Sequence, residues 1–256
     1  MGNISKKNTL MEREEYDTMY FSEGRLWWYI GLQDLLLRYI KKYCKSTDSY
    51  ILDAGCGTGK NIEIIKACGY KVFGIDISEN AIEFCHKRNI FEVSIANITN
   101  IPFRDNFFDV IFSMDVIHNL DDYSIKRSVK EFYRVLKPSG VLIINCAALE
   151  WLRSQHDDIV NLRKRFTKKE IIGLFSDFDF EIIKLSYRVF FLFIPVALIK
   201  IVKKIIKKIS RRSYSDQWLP PYIFNWLLTK IQLFENKIIY NFYLPIGSSL
   251  FIVLKK

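Results

Sequence analysis

The residues best suited to chemistry lie in one run, Ile51-Leu52-Asp53-Ala54-Gly55-Cys56-Gly57-Thr58-Gly59. Glycine has no Cβ, so Gly55 and Gly57 can take the chain through positive φ and let a ligand lie against bare backbone. The apolar stretch before the turn reads as a strand, and the residues after Gly59 read as a helix. The free N–H groups and positive dipole end of that helix suit a carboxylate or a phosphate. A second acid, Asp76 in Gly74-Ile75-Asp76-Ile77-Ser78, follows the turn by roughly 20 residues, the spacing at which a carboxylate grips ribose hydroxyls. Together the turn and the acid point to a nucleoside-containing cofactor. Read locally, Asp76 can also partner Ser78 at a helix N-cap.

Acid–base chemistry has fewer candidates. His118, in Asp115-Val116-Ile117-His118-Asn119-Leu120, follows an apolar strand on a loop that should face a substrate, and it is the candidate general base. Asp115 and His156 are the alternatives. The five cysteines (Cys44, Cys56, Cys68, Cys85, Cys146) show no metal-ligand or redox spacing, and no secretory leader precedes them. The expectation is reduced thiols in a cytoplasmic protein with no metal site.

The elements that must position these residues follow from periodicity. Leu32, Leu35, Leu36, Tyr39 and Ile40 recur at helical spacing within an amphipathic helix from Arg25 to Tyr43. Strands are predicted over Tyr50–Ala54, Lys71–Ile77, Phe91–Ala96, Phe108–Met114, Val141–Cys146, Phe180–Tyr187 and Leu250–Leu254. Helices fall between them at Lys60–Cys68, Ser78–Arg88, Asp121–Leu136 and Thr167–Phe175. Alternating strands and helices require crossover connections, hence a mainly parallel sheet with its ligand site at the strands' C-terminal ends.

The turn reads Gly-x-Gly-x-Gly behind Asp53, unlike the dinucleotide pattern, and here the chain resembles the class I S-adenosylmethionine-dependent methyltransferases. The likeness continues through Ala96-Asn97-Ile98-Thr99-Asn100-Ile101-Pro102-Phe103, through Asn106 to Ser113, and through Glu131 to Gly140. It implies an α/β fold, a Rossmann-like doubly wound seven-stranded mainly parallel sheet with an antiparallel last strand. An N-terminal helical lid and a helical insertion before the last strand would complete it. The implied division is 1–45 lid, 46–188 core, 189–243 basic insertion and 244–256 the core's last strand. The implied cofactor is S-adenosyl-L-methionine. Gly55, Cys56 and Gly57 would approach its methionine part, with Asp53 holding the ammonium, and Asp76 would accept from the ribose hydroxyls. Ile77 and Ile98 would pack on the adenine, Asn97 would accept from its amino group, and Ser113 would line the methionine and the reaction centre. Asn97 stands where the family often has aspartate, and on a local reading it starts a turn. Trp27 and Trp28 resemble a lid over the cofactor and could equally anchor their helix.

The net charge of +10 is not evenly spread: after Val160 there are 18 Lys plus Arg against 6 Asp plus Glu. Leu198, Ile199, Val202, Ile205, Ile206 and Ile209 alternate with Lys200, Lys203, Lys204, Lys207, Lys208, Arg211 and Arg212, giving one greasy and one basic face. Such a helix over 196–212 suits peripheral contact with an anionic membrane, on the inner face for a cytoplasmic protein, or it packs as a lid. The apolar run is shorter than the ~20 residues a spanning helix needs. Trp151, His156-Asp157 and Arg163 to Thr167 also resemble a methyltransferase subgroup associated with surface glycan or lipid loci, which implies an amphiphilic or glycolipid-like acceptor. Leu219-Pro220-Pro221-Tyr222 contains the Pro-Pro-Tyr of base-amine methylation, but far from the fourth strand where it belongs. With no RNA-binding pattern, a nucleic-acid acceptor is the alternative, as is a cofactor-binding partner subunit without catalysis.

Overall fold

The computed structural model describes residues 11–154, 157, 160–195, 197–198 and 220–256. His156 and nearly all of the basic segment 196–212 lie outside the described residues.

Seven strands form one sheet: β1 (Tyr50–Ala54), β2 (Lys71–Asp76), β3 (Val93–Ile95), β4 (Phe108–Met114), β5 (Leu136–Ala147), β6 (Glu181–Arg188) and β7 (Ser249–Lys255). Their order is β3-β2-β1-β4-β5-β7-β6, parallel except that β7 runs antiparallel to both neighbours. The chain reverses winding direction between β1 and β4, so the C-terminal ends of those strands open a crevice at the switch point.

Strand periodicity divides the apolar side chains between two faces. Leu142, Ile144, Ile252 and Leu254 point to one side, where α5 (Asp122–Val135) adds Ile125, Val129 and Phe132 and α6 (Lys168–Gly173) adds Ile171. Val141, Ile143, Phe251 and Val253 point to the other, against α2 (Trp27–Tyr43), α3 (Lys60–Lys66) and α4 (Glu79–Lys87). Each such buried side chain contributes roughly 1.5–3 kcal/mol. Asp121 caps α5 through the Ser124 amide at 2.7 Å, and Thr167 with Glu170 forms a capping box on α6.

Two helices fall within the expected helical lid and helical insertion, at bounds that were not predicted. α1 (Arg13–Ser22) carries a narrow apolar edge, Tyr16, Met19 and Tyr20, which packs on Phe84 of α4, while Arg13 meets Glu83 at 2.6 Å. α7 (Tyr222–Asn241) lies along α2. Gly31 admits it there: a Cβ on that glycine would stand 2.9 Å from the Gln232 Cβ. Strand boundaries moved as well. β3 shortens to three residues, and β5 starts at Leu136, where Phe108 pairs with it across an irregularity in the β4 register.

Candidate active site

The glycine turn is built as its composition requires. Gly55, Gly57 and Gly59 all take positive φ, at +90°, +52° and +82°. The Gly55 and Cys56 amides donate to Ile75 O at 2.8 and 3.0 Å, so the turn is pinned to β2. At the end of β2, Asp76 accepts from the Gly57 amide through Oδ2 (2.9 Å) and from the Ser78 amide through Oδ1 (3.0 Å). Burial raises the Asp76 carboxyl, and these amide bonds oppose the rise. Asp76 therefore supports the turn before α4 and also lines the crevice.

A cavity of about 1060 Å³ opens over this turn. Gly55, Cys56, Gly57, Asp76, Ile77, Asn97, Ile98 and His118 all line it, so the fold gathers eight of the sequence candidates. Ile77 is half-exposed and Ile98 buried, an apolar pair suited to a flat ring. Asn97 also makes its turn, Oδ1 accepting from the Thr99 amide at 2.9 Å.

Asp53 and Ser113 stand behind the wall. Asp53 is fully buried beneath the turn, and neither of its carboxylate oxygens has a partner among the described residues. Burial pushes its carboxyl well up. An orphaned carboxylate under a glycine cradle fits a ligand that brings a positive group. The Ser113 hydroxyl donates to Ala54 O at 2.8 Å and ties β4 to β1, so the structure places Met114 and Asp115, rather than Ser113, at the cavity.

His118 requires a correction. Its Nδ1 accepts from the Ala147 amide at 3.0 Å, which puts the proton of the neutral ring on Nε2. Burial, with the Arg165 guanidinium nearby, pushes the imidazole down to about 3. No lone pair is left for a general base, and His118 can serve the cavity only as a donor. Asp115 has the opposite character: burial pushes its carboxyl up to about 6, and its backbone sits at φ +60°.

The N-terminal helical lid expected over 1–45 is present as a roof, but its contacts with the cavity were not predicted. Tyr16, Met19, Glu23 and Tyr29 all line the cavity, and a Cβ on Gly57 would stand 3.0 Å from the Met19 Cε. Glu23 accepts from Arg88 Nη2 at 2.6 Å and from the Thr58 hydroxyl, while Arg88 Nε donates to Thr58 O at 2.9 Å. This buried ion pair latches the roof to the turn. Its partners are 65 positions apart, so no local signal could have revealed it. Trp27 and Trp28 both line the cavity and anchor the helix: the Trp27 amide donates to Asn225 Oδ1 at 3.0 Å, and the Arg188 guanidinium lies 5.6 Å from a Trp28 ring centre.

Residues 52–144 match the methyltransferase domain family. Over 103 residues the chain is 38% identical to tRNA (carboxymethyluridine(34)-5-O)-methyltransferase of Arabidopsis thaliana, covering 40% of this chain and 25% of that protein. The chain thus spans about a quarter of the length of that relative. A solved S-adenosylmethionine-dependent methyltransferase from Methanosarcina mazei aligns with TM-score 0.52 and 26% identity over 59% of this chain and 87% of that one. Another, from Archaeoglobus fulgidus, shares the fold over 88% of this chain and 93% of that one, with TM-score 0.57 and 19% identity. Residues 52–144 thus form a methyltransferase domain of the class I S-adenosylmethionine-dependent kind, and the glycine turn and the acid closing β2 both lie within it.

Proposed function

We propose that the domain transfers a methyl group from S-adenosylmethionine to a small amphiphilic acceptor held in the far half of the same cavity. The observation that carries this is the cavity's extent. At about 1060 Å³ it is as large as the upper end of the roughly 300–1,000 Å³ typical of whole small-molecule sites. The glycine turn, Asp76 and Asn97 occupy one part of its wall. Leu26, Trp27, Leu192, Pro195, Phe224 and Leu228 supply an apolar wall for a second ligand.

The cofactor, when bound, supplies a methyl group already activated on a sulfonium, so the chain's own work is placement and dryness. Gly55 and Gly57 present bare backbone, and Asp76 offers its remaining lone pairs to ribose hydroxyls. Asp53 lies under the turn for a cationic group, and the roof of α1 and α2 excludes water. His118 offers the Nε2 proton as a hydrogen-bond donor.

Labelled methyl donor, offered with lipid, glycan, RNA and small-molecule fractions, tests the reading. Label is expected in the lipid or small-molecule fraction, and label confined to RNA would overturn it. An RNA acceptor is the second reading, favoured by the name of the Arabidopsis relative and by the +10 charge. A partner subunit without catalysis would bind the cofactor and label nothing.

Peripheral membrane contact through 196–212 belongs to the same proposal, although of that stretch only Ala197 and Leu198 are described. Among the described residues no helix is long and apolar enough to cross a membrane. The chain should sediment with anionic liposomes and lose that affinity when Lys203, Lys204, Lys207 and Lys208 become Glu. Absence of sedimentation by the native chain would remove the membrane contact.

A further inference from the structure

Most of the acids lining the cavity already have partners. Asp157 is chelated by Arg165, Glu23 is paired with Arg88, and Asp76 is held by two backbone amides. Asp121, exposed at the rim, caps α5. Among the described lining residues this leaves Glu15, and Asp115 with a side-chain amide on one of its oxygens. Glu15 has a buried Oε2 with no partner among the described residues. Burial, and then the charges of Glu23, Asp115 and Glu15, push the Tyr29 phenol up, so that hydroxyl stands in the field of three carboxylates.

Asp115 is the better built of the two. Asn145 Nδ2 donates to its Oδ1 at 2.7 Å, and Arg188 Nη1 donates to Asn145 Oδ1 at 3.2 Å. Arg188 and Asn145 are fully buried behind the cavity wall, whereas Asp115 is only half-buried and lines the cavity. The left-handed backbone at Asp115 is a conformation that persists where the surrounding structure enforces it, a condition that collects at functional sites. A carboxylate fixed in this way, near Tyr29 in a largely apolar cavity, is matched by a cation with an apolar body.

We infer that the methyl acceptor is an amine, held as an ammonium against Asp115 beside Tyr29. The inference rests on the small amphiphilic acceptor proposed above. It also sets the order of chemical steps. The Asp115 carboxylate takes one N–H proton and leaves a neutral nitrogen with its lone pair. That pair forms the N–C bond as the S–C bond to the methyl group breaks, giving a methylated ammonium and S-adenosylhomocysteine. The choice of amine over alcohol follows from acidity. An alkyl ammonium ionises at about 10 and lower when buried, while an alcohol proton is far beyond a carboxylate's reach. The groups facing Asp115 are Arg188 from β6, Asn145 and Cys146 from β5, Tyr29 from α2 and Arg165 ahead of α6. Arg188, the Asn145 amide and Arg165 hold the carboxyl down against burial, which pushes it up to about 6.

The test is calorimetric titration of the full chain, saturated with S-adenosylhomocysteine, using hexylamine, hexyltrimethylammonium and hexanoate. At pH 8 both cations should bind, and hexanoate at least about tenfold more weakly. Hexyltrimethylammonium, whose charge is permanent, should lose about tenfold in affinity in Asp115→Asn and in the native chain at pH 5. Binding of S-adenosylhomocysteine by the variant reports its fold, and should that fail, the pH comparison on the native chain decides. Hexanoate binding as tightly as hexylamine, or hexyltrimethylammonium indifferent to pH and to Asp115→Asn, overturns the amine and leaves the amphiphile standing. If no hexyl probe binds, both are overturned. If S-adenosylhomocysteine itself does not bind the native chain, the methyltransferase reading falls with them.

Discussion

The Gly57 amide donates to Asp76 Oδ2 at 2.9 Å, so the turn after β1 and the acid that ends β2 form one hydrogen-bonded unit. Replacing Asp76 removes a support of the turn and, on the proposed reading, the acceptor for the ribose hydroxyls.

Asp76→Ala should weaken S-adenosylmethionine binding by roughly 1.5–3 kcal/mol, or about 10- to 150-fold, the scale of one charged hydrogen-bonding group. Calorimetry on the purified chain measures it. Affinity within a factor of two of the native value would remove Asp76 from the cofactor site.

Gly55→Ala meets two obstacles, the φ of +90° and a Cβ that would stand 2.3 Å from Val116 Cγ2. The substitution should lower stability by about 2–4 kcal/mol. Val116→Ala in the same chain should return only part of the loss, because it relieves the clash and leaves the backbone strained. Denaturant unfolding of the two variants separates the contributions, and full recovery in the double variant would show that backbone conformation matters little here.

Glu23 supplies a pH dependence. Burial pushes its carboxyl up to about 7, opposed by the Thr58 hydroxyl and Arg88. A folded value above the unfolded one means that the group's stabilising contribution is complete below the unfolded value, near 4.5, and is lost as pH rises through about 7. Glu23→Gln holds a neutral side chain of similar shape at every pH. The stability of this variant relative to the native chain should therefore climb between about pH 4.5 and 7, by up to about 3 kcal/mol, and then level off. A flat difference across that window, in melts at matched ionic strength, would place the Glu23 carboxyl near its ordinary value.

His118 should remain neutral across the physiological range. Its ring proton resonances, assigned with His118→Gln, are expected to show no titration between pH 5 and 8, because burial and Arg165 hold the imidazole down at about 3. A midpoint near 6.5 would restore it as a candidate base.

Much of the core was legible in the residues. β1 and β4 fall where the alternation of apolar side chains placed them, at Tyr50–Ala54 and Phe108–Met114. The positive φ at Gly55 and Gly57 follows from the one residue type that adopts it freely. These are local matters: periodicity and turn chemistry act over a few neighbours, and the sequence states them directly. The roof was expected as a helical lid from the family resemblance, but what holds it in place was not legible. α1 shows only a thin apolar edge until Phe84 of α4 is set against it, and α7 needs the missing side chain of Gly31 to settle on α2.

Roles within the site were still less legible. His118 stands on the loop that periodicity assigns to it, yet the Ala147 amide, 29 positions away, claims its lone pair. Ser113 turns toward Ala54, and Asp115 gains its setting from Asn145 and Arg188 on two other strands. Sequence by itself determined the strands of a mainly parallel sheet and the glycine turn, because both rest on local backbone preferences, while the doubly wound order was implied by the family resemblance. Tertiary structure decided which side chains can give or take a proton, because ionisation and hydrogen bonding depend on neighbours that only folding brings within about 3 Å.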